Sequence, residues 1–166
     1  MAWTTPRTWV TGELVTAALM NTHLKDNLNA IVPVGPDGWT SYTPTLTQSA
    51  TVTKTVTYAK YMKVGRLVTV NLQLACTSSG TAANAVVVGL PLAAAATASG
   101  VWGTGVVFDA SANLNYGGIA APQSTTTFAL LPTSADSNNY LGAAVFTAAL
   151  ASGDIVLASL HYEAAS

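Results

Sequence analysis

The side chains that could perform acid–base catalysis are dispersed along the chain and form no motif. His161 alternates with Leu160 and Tyr162 in the last expected strand, which favours a surface histidine over a catalytic base. A glycosidase needs two carboxylates at a defined separation, and one acid in each loop does not indicate such a pair. Turn and strand-end roles are expected for the acidic residues of the second half, which are Asp109, Asp136, Asp154 and Glu163.

Cofactor and metal motifs are missing from the sequence as well. The glycine-rich segment GVWGTGVVFD, residues 100–109, is interrupted by Trp102 and lacks the spacing of a phosphate loop or a dinucleotide fingerprint. His23 has no second ligand at the spacing of a zinc site. Cys76 is the only cysteine, so an intrachain disulfide is impossible, and its place in an alternating segment predicts a buried, unreactive thiol. The sequence therefore predicts no enzymatic activity, no cofactor and no metal.

The composition indicates a protein made for an assembly. Of the 166 residues only 8% are charged, against an ordinary share of roughly 25%, while 50% are hydrophobic. The net charge of −1 leaves no basic excess for nucleic-acid phosphates or an anionic membrane. A surface so poor in charge is prone to associate, which favours self-association. No apolar run reaches the length of a spanning helix, and Pro6 interrupts any signal peptide, so we expect a cytosolic product without membrane insertion.

The segment from Tyr58 to Cys76 predicts a β-hairpin around which the other strands are arranged. After the turn Val64-Gly65-Arg66, apolar and polar residues alternate with the period of a half-buried strand. Gly65 can adopt a positive φ at the turn with little steric cost. Further strands are expected at 85–90, 101–109, 114–120, 126–132, 140–146 and 155–162. Their regular spacing predicts a mainly β fold, an antiparallel sandwich or jelly roll, preceded by an N-terminal α-helix.

Residues from about Glu13 to Val32 have a helical composition and end before Pro33 and Gly35. Apolar spacings of three and four predict a coiled-coil seam, with Asn21 as a polar residue that fixes the oligomeric state. An amphipathic helix packed on its own chain would use the same spacings. We call the following residues the trimer seam: Leu14, Ala17, Asn21, Leu24, Leu28 and Ile31.

The first twelve residues combine two tryptophans with a proline and an arginine, in a segment too short to form a core. Exposed Trp and Arg are favoured anchors in protein interfaces, so we predict that this segment docks on a partner through Trp3, Pro6, Arg7 and Trp9. The alternative is that both tryptophans fold back onto their own chain. The turn-rich segment 33–38 marks the boundary between an N-terminal unit, residues 1–36, and a β head, residues 37–166.

Two groups of segments resemble structural proteins of tailed bacteriophages. The pattern WTTPRTWVTGELVTAALMNTHLKDNL, from Trp3 to Leu28, resembles the opening of small structural proteins of such phages, particularly those of actinobacterial hosts. The segments WTSYTPTL from Trp39, YMKVGRLVTVNLQL from Tyr61 and VVVGLPLAA from Val86 are similar to the opening, hairpin and next strand of β-rich phage fibre modules. Together these segments cover about half of the chain.

The resemblance implies a homotrimer whose N-terminal part docks on the virion and whose β head projects outward, as a short knob without a shaft. Its partners would be virion proteins of the capsid or the tail, and the names such proteins carry include minor tail protein, tail fibre, head fibre and capsid decoration protein. Two alternatives remain: a decoration protein that cements the capsid and has no host ligand, and a carbohydrate-binding module that acts alone. In the latter, or in a host-binding head, a cell-surface glycan could stack on Trp102, Tyr116 or Tyr140.

Overall fold

The computed structural model describes residues 4–31, 38–95, 100–132 and 148–165, with the side chains of residues 30, 31 and 132 left out. A helical segment consists of α1, Ala17–Met20, a π-helical turn, Asn21–Lys25, and α2, Asp26–Ile31. Ten strands follow: β1 Thr40–Ser41, β2 Leu46–Gln48, β3 Ala50–Thr51, β4 Lys54–Val64, β5 Leu67–Cys76, β6 Val86–Gly89, β7 Gly103–Asp109, β8 Leu114–Pro122, β9 Thr127–Pro132 and β10 Ile155–Glu163.

The central hairpin predicted from the sequence is formed by β4 and β5. Gly65 occupies the turn with a φ of 59°, a value that favours glycine. Along β5 every second side chain is buried, so that Val68, Val70, Leu72 and Leu74 point to the core while the polar residues between them lie on the other face. The period of two in the sequence is therefore the period of burial in the structure.

All ten strands belong to one antiparallel sheet in the order β1-β4-β5-β10-β7-β8-β9-β6-β2-β3. The prediction of a mainly β, antiparallel fold with an N-terminal helix is confirmed. The sequence also predicted a sandwich or jelly roll; the structure has one continuous sheet, which encloses one hydrophobic core. We call the core side of the sheet its inner face and the opposite side its outer face.

The sheet must curl, because a very short connection joins strands that are far apart in its order. The N–H of Tyr42 donates to the carbonyl of Ala59 in β4 at 3.1 Å, and the carbonyl of Thr45 accepts from Gly89 in β6 at 3.0 Å. Tyr42 and Thr45 are three residue steps apart, which span about 11 Å at most. In a flat sheet the six steps from β4 to β6 would cover about 29 Å. The chain therefore brings the two ends of the sheet together.

A fully buried glutamine stabilises this closure. Gln48, at the end of β2, donates from Nε2 to the carbonyls of Ala148 at 3.1 Å and Asn84 at 3.3 Å. Its Oε1 accepts from the N–H of Leu150 at 2.7 Å. Strand β2 is thus tied to the loop after β5 and to the segment that leads into β10. Each of these bonds matters, since a buried polar group that loses its partner costs about 1–3 kcal/mol.

The core contains side chains from nearly every strand, with Phe128, Leu130 and Leu160 among the largest that are fully buried. Leu130 of β9 lies against the backbone of β7, where Gly105 leaves room: a Cβ added to Gly105 would lie 2.5 Å from Leu130 Cδ2 and 2.7 Å from the carbonyl oxygen of Leu157. The missing side chain therefore allows strands that are not neighbours in the sheet to pack closely.

One expectation differs from the structure, and three others lie outside the described residues. The helix begins at Ala17 and not near Glu13, because the Thr16 hydroxyl caps it by accepting from the N–H of Leu19 at 3.3 Å. The helical end at Val32 and the domain boundary between residues 36 and 37 lie outside the described residues. The strand expected at 140–146 also lies outside them.

Substitution of Gly105 by Ala should destabilise the β head by about 2 kcal/mol or more, because the new methyl group overlaps Leu130 and backbone. The matched control is Gly117→Ala in the neighbouring strand β8, where an added Cβ meets nothing within 4 Å. We expect the control to stay within about 0.5 kcal/mol of the unmodified chain. Denaturant unfolding of both variants tests this, and equal stabilities would contradict the close packing at Gly105.

Candidate functional site

The segment before the helix folds back on it and is held by Asn27. The backbone N–H of Thr4 donates to Asn27 Oδ1, and Asn27 Nδ2 donates to the Thr4 carbonyl, both at 2.9 Å. The same Nδ2 also donates to the carbonyl of His23 at 3.2 Å. Asn27 is buried, with 5% of its surface exposed. Its amide acts like the backbone of a neighbouring strand and fixes a residue 23 positions earlier.

Two of the predicted docking residues form a small cluster on the N-terminal unit. Arg7 makes an ion pair with Glu13, and its guanidinium carbon lies 5.0 Å from the centroid of the Trp9 ring. The Trp9 ring meets the edge of His23 at a centroid distance of 6.4 Å. Trp9 is nevertheless 39% exposed. Trp9 therefore packs on its own helix, as the fold-back alternative expected, and still presents surface to a partner.

The other two predicted docking residues are Pro6 and Trp3. Pro6 is exposed, beside the cluster formed by Arg7 and Trp9. Trp3 lies outside the described residues. The cluster thus rests on a segment whose start at Thr4 is fixed by the Asn27 amide.

The trimer seam is only partly helical. Leu14 lies before the helix and is 80% exposed, so its assignment to a helical seam is wrong; the Thr16 cap starts the helix later. Leu24 and Leu28 lie on the helix and are 44% and 56% exposed. Ala17 and Asn21 are exposed as well, and the side chain of Ile31 lies outside the described set. The π-helical turn widens the helix between Ala17 and Leu28, so the heptad spacing does not form a straight stripe.

The N-terminal unit exposes much apolar surface for its size. Burial of such side chains is favourable by about 25 cal/mol for each Å² removed from water. The large apolar side chains that remain exposed on it are Trp9, Val10, Leu14, Val15, Met20, Leu24 and Leu28. Exposed apolar patches are typical of interaction surfaces.

Of the three aromatic residues predicted to face a ligand, Trp102 is buried and Tyr116 is half-buried. Trp102 is 5% exposed and stacks on the buried ring of Tyr162 at a centroid distance of 5.2 Å. Its predicted ligand-facing role is therefore wrong, because its ring is buried in the core. Tyr116 pairs with Val107 across β8 and β7 and is half-buried against the core, so its ligand-facing role stays a prediction. Tyr140 lies outside the described residues. The hydroxyl of Tyr162 donates to the Leu92 carbonyl at 2.8 Å, which satisfies it inside the protein.

The carboxylates have turn roles, as the sequence predicted. Asp109 Oδ1 accepts from the hydroxyl and the N–H of Ser111 at 2.7 and 2.9 Å, and these hydrogen bonds lower the pKa of Asp109. Asp154 is buried and accepts from the N–H of Ala110 at 3.0 Å and of Ala151 at 2.8 Å. All of their described hydrogen bonds go to nearby turns. Glu163 forms an exposed ion pair with Arg66, and Asp136 lies outside the described residues.

The thiol of Cys76 is buried, as expected. Burial, and to a smaller extent the charge of Asp154, raises the pKa of Cys76 to about 11. Within residues 4–31, 38–95, 100–132 and 148–165, no group of three or more His, Cys, Asp or Glu side chains could hold a metal ion. In the same part of the chain, none of the helices has the length and apolar content that crossing a membrane requires.

A shallow groove of about 330 Å³ crosses the outer face of β4, β5, β10 and β7. We call it the outer groove. Opposite pairs of residues build its floor, since Tyr58 lies opposite Gln73 and Asn71 lies opposite Ser159. Its lining residues are Tyr58, Asn71, Leu72, Gln73, Thr104, Gly105, Val106, Leu157, Ala158 and Ser159.

A β-bulge places Tyr58 in this groove. The register of β4 against β5 shifts between Val56 and Tyr58, so Val56 faces the core while Tyr58, two residues later, lies on the outer face. Sequence reasoning missed the groove. The sequence carries only a weak signal of it: the apolar positions that face the core change from even numbers at Val52 and Val56 to odd numbers at Ala59 and Tyr61, whereas Met62 and Val64 stay even.

A comparison of the chain with known protein families, with curated proteins and with solved structures found no match.

The β head should lose stability between about pH 9 and pH 12. Burial raises the pKa of Cys76 from 9.0 to about 11 and that of Tyr162 from 10.0 to about 12. A raised pKa stabilises the folded state below the unfolded value, and this contribution disappears as the pH passes the folded value. We expect Cys76→Val to reduce the fall in melting temperature between pH 9 and pH 11 by about 5 °C.

Differential scanning calorimetry at several pH values measures this effect. The exposed-face substitution Ala75→Val is the control, since Ala75 neighbours Cys76 on the outer face and has no ionisable group. If Cys76→Val and the unmodified chain lost melting temperature in parallel between pH 9 and pH 11, burial of the thiol would not contribute to the loss.

Proposed function

We propose that this protein is a virion structural protein: a homotrimeric surface appendage, a short fibre or knob, that binds the phage particle through its N-terminal unit and projects the β head. The exposed apolar surface of the N-terminal unit is the observation that carries the proposal. Leu24 and Leu28 expose 44% and 56% of their surface on a helix that is otherwise well defined by its cap and by Asn27. A partner that covers these side chains removes the cost of leaving them in water.

Self-association through the helix accounts for part of this surface. In a trimer the seam residues Ala17, Asn21, Leu24 and Leu28 would meet their symmetry mates, and Asn21 would supply the polar contact that fixes the register. The scarcity of charge supports the same conclusion, since 8% charged residues provide little repulsion between copies. The threefold state itself is what the resemblance to phage fibre proteins implies.

Particle binding accounts for the remaining surface. The cluster of Arg7, Trp9 and Glu13 lies outside the helix seam and joins a large aromatic ring to a cation, the two side-chain types most frequent at the centre of interfaces. Because the Asn27 amide already fixes the start of the segment, the anchors lose little freedom when they dock. The partner would be another virion protein of the capsid or the tail.

The β head has features of an outward domain with no catalytic role. Its described carboxylates are used in turns or in an exposed ion pair, its thiol is buried, and the residues that line the outer groove are uncharged. These features suit a head that contacts a surface or a ligand by shape and hydrogen bonds. A purely cementing head would place the same face against neighbouring capsid subunits.

The substitution Trp9→Ala should reduce incorporation into particles at least tenfold, because it removes the ring that Arg7 and His23 hold in place. The parent phage is complemented with either variant, and purified particles are quantified by mass spectrometry and by gold labelling with an antibody against the β head. Thr8→Ala, an exposed neighbour, is the control and should be incorporated normally. Absence of the unmodified protein from particles would refute the virion assignment, and full incorporation of Trp9→Ala would refute the docking role.

A further inference from the structure

We propose that the outer groove is a binding site for a neutral saccharide. The inference rests on the proposed function, since it names the ligand class for the outward head. It is distinct from the predicted aromatic ligand site, because Trp102 and Tyr116 face the core and take no part in it.

Polar groups in the groove lie in neighbouring rows with their hydrogen-bonding capacity unused. Asn71 lies opposite Ser159, and Ser159 lies opposite Thr104, so an amide and two hydroxyls form one row across three strands. Gln73 adds a second amide one row away, opposite Leu157. Among the described residues, neither amide has a side-chain hydrogen bond. Two amides and two hydroxyls offer donors and acceptors at the spacing of adjacent strands, about 4.8 Å, which suits a ligand with several hydroxyl groups.

Apolar groups lie beside these polar ones, as a sugar ring requires. Tyr58 is 40% exposed and Leu157 is 37% exposed, and both flank Gln73 in the same row. Val106 continues this row on β7. The ammonium of Lys60 lies 5.7 Å from the centroid of the Tyr58 ring and restrains it at the edge of the groove. A pyranose has an apolar C–H face and a polar rim, which match this row and the row of Asn71.

The low charge of the groove disfavours the main competing ligands. Each of its ten lining residues is uncharged at neutral pH, and Lys60, opposite Asn71 at the edge of the groove, is the one cation among the described residues of these two rows. A nucleic acid or an anionic headgroup would need several cations to neutralise its phosphates. A volume of about 330 Å³ lies at the lower end of the range for small-molecule sites, and the groove is open to solvent. Such a site should bind weakly in one copy, and three copies on one trimer would raise the avidity.

The β-bulge supports the assignment, because it is the feature that creates the site. Without the inserted residue, Tyr58 would lie on the same face of the sheet as Val56, two residues earlier, and would point to the core. Bulges commonly re-aim a side chain at a binding site. Here the bulge moves a large aromatic ring from the core side to the outer face beside the amides of Asn71 and Gln73.

The test is a glycan array of neutral oligosaccharides built from glucose, galactose, mannose, arabinose and N-acetylglucosamine, probed with the labelled full-length protein. Hits are then titrated by saturation-transfer NMR. The double substitution N71D/Q73E removes the amide donors with little change of volume, and Tyr58→Ala removes the ring. Asn115→Asp is the matched control, an exposed asparagine of β8 outside the groove. Melting curves verify that each variant is folded.

We expect binding by the unmodified chain, a loss of affinity of at least tenfold in N71D/Q73E and in Tyr58→Ala, and no change in Asn115→Asp. Failure to bind any arrayed saccharide at millimolar concentration would overturn the inference, as would binding that persists in both groove variants. A fall in solution mass for N71D/Q73E would also overturn it, because the face would then be an interface between copies. None of these failures affects incorporation into particles, so the proposed function is tested separately.

Discussion

The closure of the sheet between Tyr42 and Thr45 is the constraint on which the β head depends. Tyr42 is bonded to β4 and Thr45 to β6, strands that are six positions apart in the sheet. Because the chain between them is so short, the sheet can satisfy both bonds only by curling around its apolar side. The enclosed core, the glycine at position 105 and the buried Gln48 are consequences of that curl. Gly105 makes room for the curled sheet, and Gln48 satisfies polar groups that the curl buries.

Closure also determines what the outer face can do. Once the apolar side chains of β5 and β10 point inward, the alternate residues of the same strands must face outward. On β5 these include the amides of Asn71 and Gln73, and on β10 they include Leu157 and Ser159. The mixed character of the outer groove therefore follows from the same alternation that builds the core. The bulge in β4 adds the aromatic ring that this alternation alone would have buried.

The N-terminal unit differs from the β head, because its described hydrogen bonds and ring contacts order the segment without burying its apolar side chains. Asn27 fixes the segment before the helix, and Trp9 packs on His23, yet Leu24 and Leu28 remain open. Such a unit is ordered enough to present a surface and too small to bury that surface by itself. Association with other copies and with a particle would cover these side chains.

Local patterns in the sequence predicted much of the β head. Alternation along β5 and the glycine at position 65 specify a hairpin by short-range rules, so the predicted hairpin is confirmed. The curl could not be predicted, because it depends on hydrogen bonds of Tyr42 and Thr45 to strands distant in the sequence.

Side-chain environments were harder to predict than strands. An exposed tryptophan and a buried one look alike in a sequence, and only the register shows that Trp102 stacks on Tyr162. The helix start was missed because Thr16 serves as a cap, whereas its neighbours have ordinary helical composition. The bulge that carries Tyr58 outward is a single extra residue in a threonine-rich segment, where neither phase is strongly marked.

The solution mass of the full-length protein tests the central claim most directly. Sedimentation equilibrium over the micromolar range should give three copies of the 16.9 kDa chain. Leu24→Asp should shift the mass toward one copy, because a charge would replace an exposed apolar seam residue, whereas the control Thr22→Asp, exposed on the same turn, should remain trimeric. A monomer at every concentration, or a trimer unaffected by Leu24→Asp, would contradict assembly through the helix.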